Sequence, residues 1–141
     1  MSEGEGEGEG DRELEEHART AQPRAHAPYS RFRVGAAVRM SGGLYGGVNV
    51  ESASYPLTVC AERNAVAAAV HDGARRLEAI AVCSDASPPA APCGGCRQVL
   101  LEFAADPAAV RIIGINPQGE RRTWTLDELI PYGFSGRELP P

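Results

Sequence analysis

Two stretches decide how this chain reads: Cys60-Ala61-Glu62-Arg63-Asn64-Ala65-Val66-Ala67-Ala68-Ala69-Val70 and Pro92-Cys93-Gly94-Gly95-Cys96-Arg97-Gln98-Val99-Leu100-Leu101-Glu102-Phe103. Each has a cysteine at or next to its start and runs into a helical pattern. Residues 61–70 are rich in Ala, the best helix former, and His71-Asp72-Gly73 ends the run. The cysteines therefore fall at helix N-termini, where free N–H groups and a partial positive charge favour thiolate over thiol. Cys93 and Cys96 are spaced to share one helix face, and Gly94 and Gly95 between them let the backbone come close to a metal or a substrate.

The flanking segments supply the sheet. A leading helix is expected from residue 11 to about 21, with Leu14, Ala18 and Ala21 on one side. Residues 26–30 read as a loop. Residues 33–40 and 44–50 read as strands joined by Ser41-Gly42-Gly43, an antiparallel hairpin. Short apolar runs at 77–83 and 110–116 read as buried strands, and 120–125 as a final strand after Pro117-Gln118-Gly119. Thr125-Leu126-Asp127-Glu128 has the form of a capping box opening a short helix limited by Pro131. Helices between strands favour right-handed parallel crossovers. The fold class is α/β: a three-layer α/β/α sandwich around a five-stranded mixed sheet, in one domain over residues 11–141. Residues 1–10 alternate Glu and Gly and are expected to be a disordered acidic tail.

Bulk properties exclude several classes. The formal charge is −5, and the four glutamates of residues 1–10 carry most of it, so the remainder is near neutral. That is not the basic footprint of a nucleic-acid binder. No apolar run approaches the roughly 20 residues that cross a bilayer, so no membrane partner is expected. The N-terminus lacks the basic-then-apolar pattern of a secretory signal, which points to a cytoplasmic protein. In that setting four cysteines suggest metal or catalytic use over a disulfide framework.

Cys60, Cys93 and Cys96 can fill three positions of a tetrahedral zinc ion and leave the fourth to water. Glu62, two residues after a ligand, is placed to move protons to and from that water. This is the equipment for hydrolysing an amine from a ring. Competing readings are a Cys-x-x-Cys redox pair, which lacks its usual context, and a closed structural site, which needs a fourth ligand. Cys83 lies in an apolar strand run, and His17, His26 and His71 lie in the leading helix, a loop and a helix end. Arg63 and Arg97 each follow a ligand cysteine. Arg63 is assigned to donate hydrogen bonds to sulfur and offset the excess thiolate charge; Arg97 is open between that role and a surface one.

Taken in order, the motifs resemble the small zinc-dependent cytidine deaminases. They are Ala27-Pro28-Tyr29-Ser30, Phe32-Arg33-Val34-Gly35-Ala36-Ala37, Asn49-Val50-Glu51, Ala53-Ser54-Tyr55-Pro56-Leu57, Cys60-Ala61-Glu62-Arg63, Pro92-Cys93-Gly94-Gly95-Cys96-Arg97-Gln98, and Leu129-Ile130-Pro131 followed by Phe134. The resemblance implies one Zn2+ per chain and hydrolysis of cytidine and deoxycytidine to uridine and deoxyuridine, with ammonia released. It implies that Phe32 packs on the pyrimidine, that Asn49 and Glu51 bind ribose hydroxyls, and that the Ala61 backbone holds the polar edge of the base. It further implies a homotetramer in which Tyr55 and Phe134 reach a neighbour's site. Ser52 and Gly95 depart from the residues common there, without touching a ligand or the proton carrier. The alternatives are a deaminase of another aminopyrimidine, a polynucleotide editor and a non-catalytic zinc module; Asn49-Val50-Glu51, the neutral core and Glu62 argue against them in turn.

Overall fold

The computed structural model describes residues 2–141, with side chains from residue 8 onward. The elements are α1 Ser2–Ala21, β1 Gly35–Met40, β2 Gly43–Val48, α2 Ala61–His71, β3 Leu77–Cys83, α3 Gly94–Glu102, β4 Arg111–Ile115, β5 Arg121–Thr125 and α4 Leu126–Leu129. All expected elements occur in the expected order. α1 starts at Ser2, ahead of the expected position at Asp11. α1 thus runs through most of the stretch expected to be a disordered tail, while Met1 and the side chains of residues 2–7 lie outside the described ones. Among the described residues, no helix is long and apolar enough to cross a membrane.

The strands form one sheet in the order β2-β1-β3-β4-β5. β1 is antiparallel to both β2 and β3, β3 and β4 are parallel, and β5 is antiparallel to β4. The mixed five-stranded sheet is as expected. α3 makes the crossover that adjacent parallel strands need. α2 also joins strands of one direction, β2 and β3, but β1 lies between them. The tight turn at Ser41-Gly42 forces β1 and β2 to be neighbours, so β3 takes the other edge of β1.

Strand alternation sorts the core into two layers. Val38, Met40, Ile80 and Ile112 pack with residues of α2, α3 and α4. Ala37, Ala79, Ala81 and Ile113 pack with Leu14 and Ala18 of α1 on the opposite face. The α/β/α sandwich therefore has α1 alone on one side. Ala21 is only half-buried. The buried carboxylates of α1 fix its position: Arg121 meets Glu15 at 3.0 Å and Asp11 at 3.5 Å, and Arg111 meets Asp11 at 2.5 Å. On the other side α2 lies almost on the backbone of β2. A Cβ at Gly47 would sit 2.4 Å from the Ala65 nitrogen, so this approach requires glycine. It seats the N-terminal turn of α2, with Cys60 and Glu62, beside the end of the hairpin.

Candidate active site

Cys60 is the N-cap of α2 and Cys93 the N-cap of α3, both in extended conformation. Neither thiol caps its own helix, so both sulfurs are free to point elsewhere. Cys96, within α3, is buried. The three Sγ atoms lie within 4.8 Å of one another. Zinc–sulfur bonds of about 2.3 Å in a tetrahedron separate sulfurs by about 3.8 Å, so a small contraction around an ion completes the geometry. Cys83 faces the α1 layer instead, where its thiol lies 3.2 Å from Gln22 Oε1.

Electrostatics support the same donor set. The Cys60 thiol is held down to about 5, first by a hydrogen bond from Cys96 and then by Arg63. Cys96 is pushed up by giving that hydrogen bond and by burial. Without a cation, Cys60 and Cys96 therefore hold a proton between them, and a dication is what lets both ionise together. Arg63 Nη2 lies 3.9 Å from Cys60 Sγ and 3.4 Å from the Thr58 carbonyl, and its buried Nε has no partner. Glu62 is buried, and its carboxyl is pushed up to about 7, chiefly by desolvation and then by Cys60.

A cavity of about 220 Å³ joins these groups to part of the expected nucleoside site. Cys60, Ala61, Glu62 and Cys93 line it together with Phe32 and Asn49. Ala61 sits in the first turn of α2, where backbone N–H groups have no helical acceptor. The Asn49 amide is already at work: Oδ1 accepts from Val34 N–H at 2.9 Å and Nδ2 donates to the Phe32 carbonyl at 2.9 Å. It thus fixes the segment that presents the Phe32 ring. One N–H and one lone pair remain for another partner.

Glu51, Tyr55 and Phe134 lie outside this cavity. Glu51 and Tyr55 line a neighbouring cleft, and Thr58 borders both spaces. The Glu51 carboxylate accepts from the Ser30 hydroxyl and from the Tyr29 and Ser30 N–H groups, which hold it below the usual carboxylate range. Tyr55 is 70% exposed and Phe134 57% exposed, so neither ring packs into its own chain's cavity. Arg97 does not reach sulfur; it donates to the Pro92 carbonyl at 2.7 Å and the Leu129 carbonyl at 2.9 Å. Thr58, Ser84, Ala90 and Ala91 also line the cavity. Nothing in their residue types signals that place, which depends on a loop folding back over the sheet.

Comparison with known proteins agrees with this chemistry. The family model described as the cytidine and deoxycytidylate deaminase zinc-binding region matches residues 9–111. A cytidine deaminase of Halalkalibacterium halodurans is 44% identical over 120 residues, covering 84% of this chain and 89% of that protein. The crystal structure of cytidine deaminase from Burkholderia pseudomallei superposes with a TM-score of 0.81 at 42% identity, covering 87% of this chain and 98% of that one. The cytidine deaminase structure from Mycobacterium tuberculosis gives a TM-score of 0.75 at 40% identity, covering 87% and 95%.

Proposed function

This chain belongs to the cytidine and deoxycytidylate deaminase family, and from that premise we propose that it hydrolyses cytidine and deoxycytidine to uridine and deoxyuridine with release of ammonia. The observation that carries the reading is the single cavity in which cysteine ligands, the buried Glu62 carboxylate and the Phe32 ring meet. Zinc, one ion per chain held by Cys60, Cys93 and Cys96, supplies Lewis-acid activation of water at neutral pH.

The chain's own groups do the rest. Glu62 takes a proton from the attacking water and delivers it to the ring nitrogen beside the amine-bearing carbon. It then takes the proton of the new hydroxyl and hands it to the amine, which leaves as ammonia while the ring carbonyl forms. Burial pushes the Glu62 carboxyl up to about 7 in the metal-free fold, so it holds a proton more readily than an exposed carboxylate, as a group that both accepts and returns protons needs. Phe32 packs against the pyrimidine, and the Ala61 backbone N–H holds its carbonyl oxygen. Asn49, with its remaining N–H and lone pair, and Glu51, held ionised, take the ribose hydroxyls. Arg63 offsets the thiolate charge through Cys60.

The reading extends to assembly and setting. Residues 11–141 form the catalytic domain, and residues 1–10 are an acidic tail outside its chemistry. A homotetramer, supported by the outward Tyr55 and Phe134 rings, lets each copy complete a neighbour's nucleoside site. Four cysteines without a disulfide suit the reducing cytoplasm. The test is substrate comparison. Cytidine should turn over at least about a hundredfold more efficiently than free cytosine, since the ribose contacts are lost in the base. Equal efficiency would remove the roles given to Asn49 and Glu51.

A further inference from the structure

The segment 84–92 carries the chain from β3 to Cys93 and supplies Ala90 and Ala91 to the cavity wall. It has no helix or strand to set its path. Its ties come from other elements. Ser84 N–H donates to the Ile115 carbonyl at 3.2 Å. Asn116, fully buried just after β4, donates to the Ala86 carbonyl at 3.0 Å and to Glu120 Oε1 at 2.8 Å. Its Oδ1 accepts the Glu120 N–H at 3.0 Å. Glu120 Oε1 also accepts the Ser87 hydroxyl at 2.5 Å. The floor beneath the segment is Gly114, where a Cβ would meet the Ala90 carbonyl oxygen at 3.1 Å and Pro89 Cβ at 3.3 Å.

We infer that Glu120 and Asn116, on the turn between β4 and β5, are positioning residues: they clamp this segment and so place the Cys93 sulfur and the cavity wall. One carboxylate oxygen joins the buried Asn116 amide to Ser87. Without it Ser87 loses its acceptor and Asn116 Nδ2 one of its two, so from Ala86 onward the segment is left with the Asn116–Ala86 hydrogen bond, a 3.5 Å contact from Arg122 to the Pro89 carbonyl and the Arg97–Pro92 hydrogen bond beside Cys93. The residues assigned to hold the nucleoside, Phe32, Asn49, Glu51 and Ala61, sit on other elements, and the segment gives the cavity only the apolar wall of Ala90 and Ala91, so the clamp acts chiefly on metal retention and on the chemical step. For turnover the inference rests on the deaminase reading; for metal retention it needs only the cysteine site.

The experiment uses full-length, zinc-loaded protein with Glu120→Ala and Glu120→Gln. Glu120 is exposed, and Gln keeps the Oε1 acceptor. Glu120→Ala should release zinc to a chromogenic chelator about tenfold faster and lower kcat about tenfold, with KM changed less than about twofold, the range of supporting contacts around metal ligands. Glu120→Gln should match the parent. A lower melting temperature in Glu120→Ala with unchanged zinc release and kcat would overturn the inference. So would a Gln variant as impaired as Ala, since charge and not hydrogen bonding would then be at work. If the parent releases no ammonia from cytidine, the substrate reading fails, while the zinc-release contrast still decides the clamp.

Discussion

Replacing Glu62 with Gln separates proton transfer from folding. Glu62 is 7% exposed. Its carboxyl rises from an ordinary value of 4.5 to about 7, first through burial and then through the Cys60 thiolate, which makes the charged form roughly 3 kcal/mol unfavourable in the metal-free fold. Below pH 4.5 both folded and unfolded carboxyls are protonated and the penalty is absent. It grows as the unfolded carboxyl ionises first and is complete above about pH 7. Gln has the same shape and no charge, but its extra N–H needs a partner in the cavity, at a cost of about 1 kcal/mol. Metal-free Glu62→Gln should therefore be about 2 kcal/mol more stable than the parent at pH 8 and about 1 kcal/mol less stable at pH 4, with a crossing between. Urea unfolding of chelator-treated protein across that range measures the difference. Zinc-loaded Glu62→Gln should keep its metal and lose about 10³-fold in kcat, within the range of general acid–base catalysis. A variant no more stable than the parent at pH 8 refutes the buried-charge argument. A kcat within tenfold of the parent refutes the proton carrier.

Other perturbations probe how the site is held. Asn49→Ala strands the Val34 N–H and the Phe32 carbonyl; it should cost about 2 kcal/mol in urea unfolding and raise KM for cytidine about tenfold or more as Phe32 loses its seat. Gly47→Ala drives a methyl group into the Ala65 nitrogen; a loss of about 2 kcal/mol or more is expected, read as a lower unfolding midpoint, because backbone and not a flexible side chain must yield. Removing residues 1–7 spares the ion pairs of Asp11 and Glu15 and should leave kcat/KM for cytidine within about twofold of the parent, since every residue lining the cavity lies at position 32 or beyond.

Much of the fold was legible because its signals are local. Ala-rich residues 61–70, the Ser41-Gly42 turn and the capping box at Thr125 each specify their element within a few residues. Cys60 and Cys93 could be placed at helix N-termini for the same reason. Cys93 proved to be the cap itself, with α3 beginning at Gly94. What depends on distant partners was not legible. The place of β1 between β2 and β3 follows from which sheet edge is free after the hairpin closes. The commitment of the Asn49 amide to the backbone around Phe32 appears only once that loop folds against β2. Arg97 was equally open to sulfur or surface in the sequence; its reach to the Pro92 and Leu129 carbonyls depends on a helix–loop contact that spacing does not encode. Ser87 reads as the start of a proline-rich loop, and Asn116 and Glu120 as the ends of two strands, until the segment before Cys93 lies across β4.

The most direct test is ammonia release from cytidine as zinc is returned to the chelator-stripped protein. The account predicts activity that rises linearly with bound zinc and levels off at about one ion per chain, the number that one cluster of three cysteines holds. A folded, zinc-saturated protein that releases no ammonia from cytidine, or a stripped protein that releases it equally fast, would contradict it.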